Sequence, residues 1–153
     1  MKKIRKGLPQ SMKIKQYEIS ISPKKRGFHL ITNEIIDQIG DISNASVGTL
    51  CLFLKHSSAS ICINENADPD VRIDLENFYS ELCDKKPYFT HVNEGEDDMP
   101  GHIKSTIIGI NLNIPVTNGA LNMGIWQGIY LNEHRNNAGS RNLVATLTYE
   151  PKD

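Results

Sequence analysis

Apolar positions recur first with a period of two: Ile14 to Ile21 alternates apolar and polar side chains and predicts a strand that ends near Pro23. The period then lengthens. Thr32-Asn33 reads as a helix cap, and Ile35, Ile36, Ile39 and Ile42 follow at helical spacing. Val47 to Leu54 is a nearly continuous apolar run suited to a buried strand, and Ser58 to Asn64 alternates again, turning Ala59, Ile61 and Ile63 to one side. Asp68-Pro69 supplies a cap and a first-turn proline for the clearest helix, in which Val71, Leu75, Phe78 and Leu82 form one apolar stripe. From Asp84 to Pro100 the chain is polar, acidic and aperiodic, the pattern of a long loop, and loops of that kind inside compact domains often carry function. Asp98-Met-Pro-Gly opens a short helix bearing His102 and Lys104. Leu112 to Val116, Leu121 to Leu131 and Asn142 to Tyr149 read as strands, with Asn118-Gly119 as a hairpin turn. The order predicts one compact α+β domain over residues 13–153, with a mixed, largely antiparallel sheet, two main helices and a short third, preceded by a tail over residues 1–12.

Length and composition support that single core. At 153 residues, 39% hydrophobic and 23% charged, the chain has the size and apolar content of one globular domain. The net charge of -1 conceals a split, because residues 1–30 hold nine Lys and Arg against Glu18 alone. Lys2, Lys3, Arg5 and Lys6 are interrupted by Gly7 and Pro9 and carry no interleaved aromatics, so the arm reads as a solvated tail and not as a nucleic-acid surface. Cys51, Cys62 and Cys83 are odd in number and widely spaced, which indicates neither a disulfide framework nor a cysteine zinc site and points to a reducing, cytoplasmic setting. Leu50 to Leu54, the longest apolar stretch, is too short to span a bilayer, and no secretory signal follows the basic start.

Chemistry concentrates where the periodicity fails. Between Thr90 and Ser105 the chain places His91 and His102 among Glu94, Glu96, Asp97 and Asp98. Imidazole and carboxylate suit a divalent ion, and a catalytic site typically takes three protein ligands and leaves one position open. A third ligand would come from His56, His134 or a carboxylate; the plainer reading is an acidic, solvated loop. His56 ends a predicted strand and precedes Ser57-Ser58-Ala-Ser60, which reads either as a base beside hydroxyls or as an ordinary turn. Asn64-Glu65-Asn66 offers amides and a carboxylate to a polar ligand, although such residues also build turns. Trp126, the sole tryptophan, stands beside Gln127 between Gly124 and Gly128, placed to stack on a ring or to pack in a core or subunit interface. Glu133-His134-Arg135 offers a ligand and a phosphate-binding cation, or an exposed turn.

Four segments together resemble the YjbQ-like family, whose members are described as secondary thiamine-phosphate synthases. They are Lys55-His-Ser-Ser-Ala-Ser60, Asn64-Glu-Asn-Ala-Asp-Pro-Asp-Val-Arg72, Glu94-Gly-Glu-Asp-Asp-Met-Pro-Gly-His-Ile-Lys-Ser105 and Gly124-Ile-Trp-Gln-Gly-Ile-Tyr-Leu-Asn-Glu-His-Arg135. The similarity runs from about Tyr17 to Tyr149, with Gly101 where the family usually has alanine and Ile125 where it often has threonine. The resemblance implies a barrel-like sheet, a homotrimer, and an activity that joins a pyrimidine diphosphate to a thiazole phosphate with release of pyrophosphate. It implies His56, His91 and His102 as metal ligands, with zinc or magnesium as the ion. Glu94, Asp98 and His102 would serve acid-base work; Asn64, Glu65, Asn66, Lys104, Trp126, Gln127 and Arg135 would contact a phosphorylated small molecule. A metal-dependent hydrolase of a small phosphorylated or heterocyclic substrate and a non-enzymatic ligand-binding trimer are the competing expectations.

Overall fold

The structure, a computed structural model, describes residues 11–153; the predicted tail lies almost wholly outside the described residues. Eight strands and three α-helices follow in the order β1 (Lys13–Ile21), β2 (Gly27–Leu30), α1 (Thr32–Ile36), β3 (Ala45–Leu54), β4 (Ala59–Glu65), α2 (Pro69–Cys83), α3 (Asp98–Ile108), β5 (Asn111–Thr117), β6 (Ala120–Leu121), β7 (Gln127–Glu133) and β8 (Arg141–Pro151). A 3₁₀ turn over Gly40–Asn44 leads into β3. The fold is α+β, as the periodicity predicts.

The strands form two sheets, ordered β1-β8-β3-β5-β6 and β2-β7-β4, and every pair among the described residues is antiparallel. The sheet is therefore neither mixed nor closed into a barrel. Alternation explains the layering: Ile19 and Ile21 of β1, Leu50, Leu52 and Leu54 of β3, and Leu143, Ala145 and Leu147 of β8 point inward, where they meet Ile61, Ile129 and Leu131 of the smaller sheet in one core. Ile35, Ile39 and Ile42 close that core from the short helical segment.

Three elements depart from the sequence reading. Thr32 does not cap α1, because its Oγ1 accepts the Ile129 N–H at 2.9 Å and ties the helix to β7 instead. The apolar run from Leu121 to Leu131 is broken by a turn in which Gln127 N–H donates to Gly124 O at 3.0 Å, so a long strand becomes β6 and β7. On α2 the cap is as expected, with Asp68 accepting the Asp70 N–H at 2.9 Å, but Phe78 and Leu82 are 60% and 49% exposed. The helix rests on β2 through Tyr79, whose ring lies 6.0 Å from that of Phe28, and through Arg26, which bonds Glu76, Ser80 and Asp84.

Candidate functional site

The start of α3 carries the site. Asp98 and His102 stand one turn apart on one face of the helix, and the preceding loop returns His91 to the same place. Gly95, at φ +109, lets that loop turn where a side chain would strain the backbone. His91 Nε2 lies 2.7 Å and His102 Nε2 3.1 Å from Asp98 Oδ2, and the two imidazole rings are 5.4 Å apart. One donor atom from each of these three residues falls within 4.8 Å of the others. Asp98 is 2% exposed, whereas the His91 and His102 side chains are 44% and 31% exposed, so the cluster has a buried base and an open top.

Second partners set the direction of these donors. His102 Nδ1 lies 2.7 Å from the Ser57 carbonyl, which can only accept, so Nδ1 carries a hydrogen and Nε2 faces the carboxylate. A proton or a metal ion must then sit between Nε2 and Asp98, and the donor set fits a metal: two imidazoles and a carboxylate, one ring oriented by a backbone carbonyl. Arg135 Nη1 bonds Asp98 Oδ1, leaving Oδ2 for the histidines, while Nη2 donates to Glu94 O at 2.8 Å and Nε pairs with Asp97 at 3.2 Å. Burial pushes the Asp98 carboxyl up, but the His91 hydrogen bond and the nearby His102 and Arg135 charges outweigh it and hold it below the usual carboxylate range.

Of the residues singled out from the sequence, His91, Asp98 and His102 meet. His56 does not join them: its Nε2 accepts the Asn142 N–H at 2.8 Å, and burial together with the Arg141 charge holds its pKa low. Glu94 contributes its carbonyl to Arg135, whose guanidinium also pairs with Asp97 and Asp98. Lys104 is fully buried with Nζ 2.9 Å from Asp84, out of a ligand's reach. Glu133 and His134 are sealed and not in an exposed turn: Glu133 pairs with Arg141, and His134 Nε2 lies 2.8 Å from Ser60 Oγ.

Asn64, Glu65, Asn66, Trp126 and Gln127 gather at the other end of the β4 and β7 pair, about 20 Å away at roughly 3.4 Å for each of the six steps from Gln127 to Glu133. Their polar atoms stitch local turns. Asn64 Oδ1 accepts the Glu65 N–H at 2.7 Å, Glu65 Oε2 accepts the Ala67 and Asp68 N–H groups at 3.1 and 2.9 Å, and Asn66 Nδ2 donates to Ile125 O and Gln127 O at 3.1 and 3.2 Å. Asn66 and Gln127 also line a cavity of about 580 Å³ with Thr32, Asn33 and Glu34. Trp126 is 63% exposed and belongs to no core.

Two cavities flank the histidine cluster. On the His91 side, about 400 Å³ is bounded by Lys85, Lys86, Phe89 and Met99; on the His102 side, about 360 Å³ is bounded by His56, Ser105, Thr106 and Asn111. Apart from the histidines, these lining residues and the Ser57 carbonyl carried no signal in the sequence, since a backbone oxygen and scattered side chains form no motif.

Fold and cleft together define a small α+β domain with an open-sided histidine–carboxylate centre on its last helix. The chain belongs to the YjbQ-like UPF0047 family, whose profile, "UPF0047 protein YjbQ-like", matches residues 17–150. It is 47% identical over 135 residues to the UPF0047 protein YjbQ of Escherichia coli O157:H7, covering 88% of this chain and 98% of that one. A UPF0047 protein of Synechocystis is 40% identical over 77% of this chain and 81% of its own length. Among solved structures, a YbjQ-like protein of Sulfolobus solfataricus superposes with a TM-score of 0.77 at 25% identity, over 92% of this chain and all of that one. A yjbq/upf0047 family protein of Clostridium acetobutylicum gives 0.69 at 32% identity, over 84% and 96%.

Proposed function

We propose that this chain is a metal-dependent transferase that joins a pyrimidine diphosphate to a thiazole phosphate, forming thiamine phosphate and releasing pyrophosphate. The observation that carries the reading is the pair of cavities on either side of the His91–Asp98–His102 cluster, each touching one imidazole, because a joining reaction needs two organic molecules at one centre. In that reaction the thiazole nitrogen forms a bond to the pyrimidine methylene carbon while the bond from that carbon to the diphosphate oxygen breaks, its electron pair leaving with pyrophosphate.

His91, His102 and Asp98 would hold the ion, and a donor set of two imidazoles and one carboxylate favours zinc over magnesium. A bound divalent ion would supply positive charge for the leaving oxyanion. Lys85 and Lys86, which line the His91 cavity, join Arg135 as the cations offered to phosphate, in place of the buried Lys104. The family resemblance extends this proposal to a homotrimer. Three free cysteines support a cytosolic setting, and no described helix is long and apolar enough to cross a membrane.

Metal analysis and a two-substrate assay test the proposal. His91→Ala and His102→Ala should each lower bound metal at least tenfold and abolish product while leaving the circular dichroism spectrum unchanged, since neither side chain is part of the core. Pyrophosphate release that requires thiazole phosphate supports the transferase. Release at the same rate without it identifies a hydrolase, and unchanged metal content in both variants sinks the centre.

A further inference from the structure

His56 and His102 line one cavity of about 360 Å³ but use their rings in opposite senses. His102 gives its Nδ1–H to the Ser57 carbonyl at 2.7 Å and turns its bare Nε2 to Asp98. His56 gives its bare nitrogen to the protein: Nε2 accepts the Asn142 N–H at 2.8 Å, so the ring hydrogen sits on Nδ1, which has no hydrogen-bond partner among the described residues. The ring is held in place, because Lys55 N–H donates to Asn142 O at 2.9 Å and one residue of β8 thus binds both the backbone before His56 and its side chain. Burial and the Arg141 and Lys55 charges outweigh the pull of Glu133 and keep the imidazole neutral. A neutral imidazole fixed in this way offers a hydrogen bond to a lone pair without protonating it. No Asp, Glu, Lys or Arg side chain lines the cavity, and Gly109, where α3 ends, forms part of its wall, which sets the negative end of the helix beside it. A phosphate is better served by the His91 cavity, where Lys85 and Lys86 outnumber Glu96. The His102 cavity suits an uncharged ring with a lone pair at its edge.

We propose that His56 is a substrate-positioning residue whose Nδ1–H donates to a ring nitrogen of the pyrimidine, seating that ring in the cavity beside His102 and leaving the thiazole phosphate to the cavity beside His91. The identity of the two molecules rests on the transferase reading. The neutrality of the donor matters to that reaction. As the diphosphate leaves with the electron pair of its bond, the methylene carbon becomes electron-poor, and a charged donor on the ring would set a second positive charge beside it. Neutral imidazole orients the ring without that cost.

Long-range proton–nitrogen correlation spectra of the metal-loaded full chain, with the His56 signals assigned through His56→Gln, read the tautomer directly. Nδ1 should carry the hydrogen, and its signal should shift when pyrimidine diphosphate is added. His56→Leu removes the donor and should raise KM for pyrimidine diphosphate about tenfold, with KM for thiazole phosphate and bound metal each within roughly twofold of the parent protein. His56→Gln keeps an oxygen for the Asn142 N–H and an N–H for the ring, and should recover most of the loss. A bare Nδ1, or an Nδ1 signal unmoved by pyrimidine diphosphate, overturns the proposal, and the spectra decide this even if His56→Leu does not fold. Metal lost from His56→Leu overturns it by making His56 a ligand of the ion. Both KM values raised together, without recovery in His56→Gln, overturn it by leaving His56 only as the acceptor for Asn142. Absence of turnover with both substrates sinks the transferase reading alone; calorimetric Kd values for pyrimidine diphosphate then replace KM in the comparison of the parent protein with His56→Leu.

Discussion

A neutral imidazole sealed in the interior makes stability depend on pH. Burial pushes the His134 pKa down to about 3, and the Lys104, Arg26 and Arg141 charges push the same way. An unfolded histidine titrates near ~6.5. Between these values the unfolded chain binds one proton more than the folded chain, so this contribution is complete above ~6.5 and is lost as pH falls toward 3. The expected slope is about 1.4 kcal/mol per pH unit in urea denaturation, and His134→Gln should remove it; equal slopes for the two proteins would contradict the assignment. A second single-residue effect lies at Gly101, inside α3, where a Cβ would stand 3.4 Å from Ser58 Cβ and 3.5 Å from His134 Cβ. Those are ordinary contacts, so Gly101→Ala should raise the melting temperature through roughly 0.5–1 kcal/mol of helix preference. A lowered melting temperature would mean that Ser58 cannot give the last few tenths of an ångström. At this scale the sequence made His91, Asp98 and His102 conspicuous through their density. It could not show that Lys104 and Arg135 of the same motifs are spent on Asp84 and Asp98, because a basic side chain looks the same whether it meets a ligand or a neighbour.

Arg135 reaches Glu94, Asp97 and Asp98, the end of the loop and the first residue of α3, from beyond the end of β7. Arg135→Met should therefore speed amide exchange over residues 94–98 by tenfold or more, since hydrogen bonds to charged groups contribute ~1.5–3 kcal/mol, with the amides of β3 and β8 unchanged. Uniform acceleration across the core would indicate global destabilisation instead. Elements whose period agreed with their burial were legible: β1 and β8 alternate because one face meets the core, and α2 begins where Asp68 and Pro69 place it, whereas β3, a nearly continuous apolar run, buries Leu50, Leu52 and Leu54 but leaves Val47 and Phe53 52% and 47% exposed. The failures came where a tertiary partner overrode a local signal. Thr32 serves β7 instead of capping α1, and Gln127 folds back on Gly124 to break what reads as one strand. Phe78 and Leu82 complete an apolar stripe by spacing, yet Arg26 draws the polar side of α2 inward through Glu76, Ser80 and Asp84.

The division into two sheets could not be read from the chain, because strand pairing joins distant segments: β1 with β8, β2 with β7. What ties the smaller sheet to the larger, besides the shared core, is an ion pair between Glu133 at the end of β7 and Arg141 at the start of β8. Arg141 Nε lies 2.7 Å from Glu133 Oε1 and Nη2 2.6 Å from Oε2, with side-chain exposures of 6% and 0%. Nη2 also reaches the Ser58 carbonyl and hydroxyl at 3.3 Å, so the guanidinium touches the segment that leads to the histidine cluster. Removing one member of a buried pair leaves the other charged and unsolvated, at a cost of ~3–5 kcal/mol, whereas replacing both is far milder. Arg141→Met should accordingly lower the urea midpoint sharply by stranding the Glu133 carboxylate. Adding Glu133→Gln removes that charge and should restore more than half of the loss, giving a strongly favourable coupling energy in the double-mutant cycle. If the double variant is no more stable than Arg141→Met alone, the loss comes from the Ser58 contacts and side-chain packing, and the joint between the sheets is not an electrostatic one.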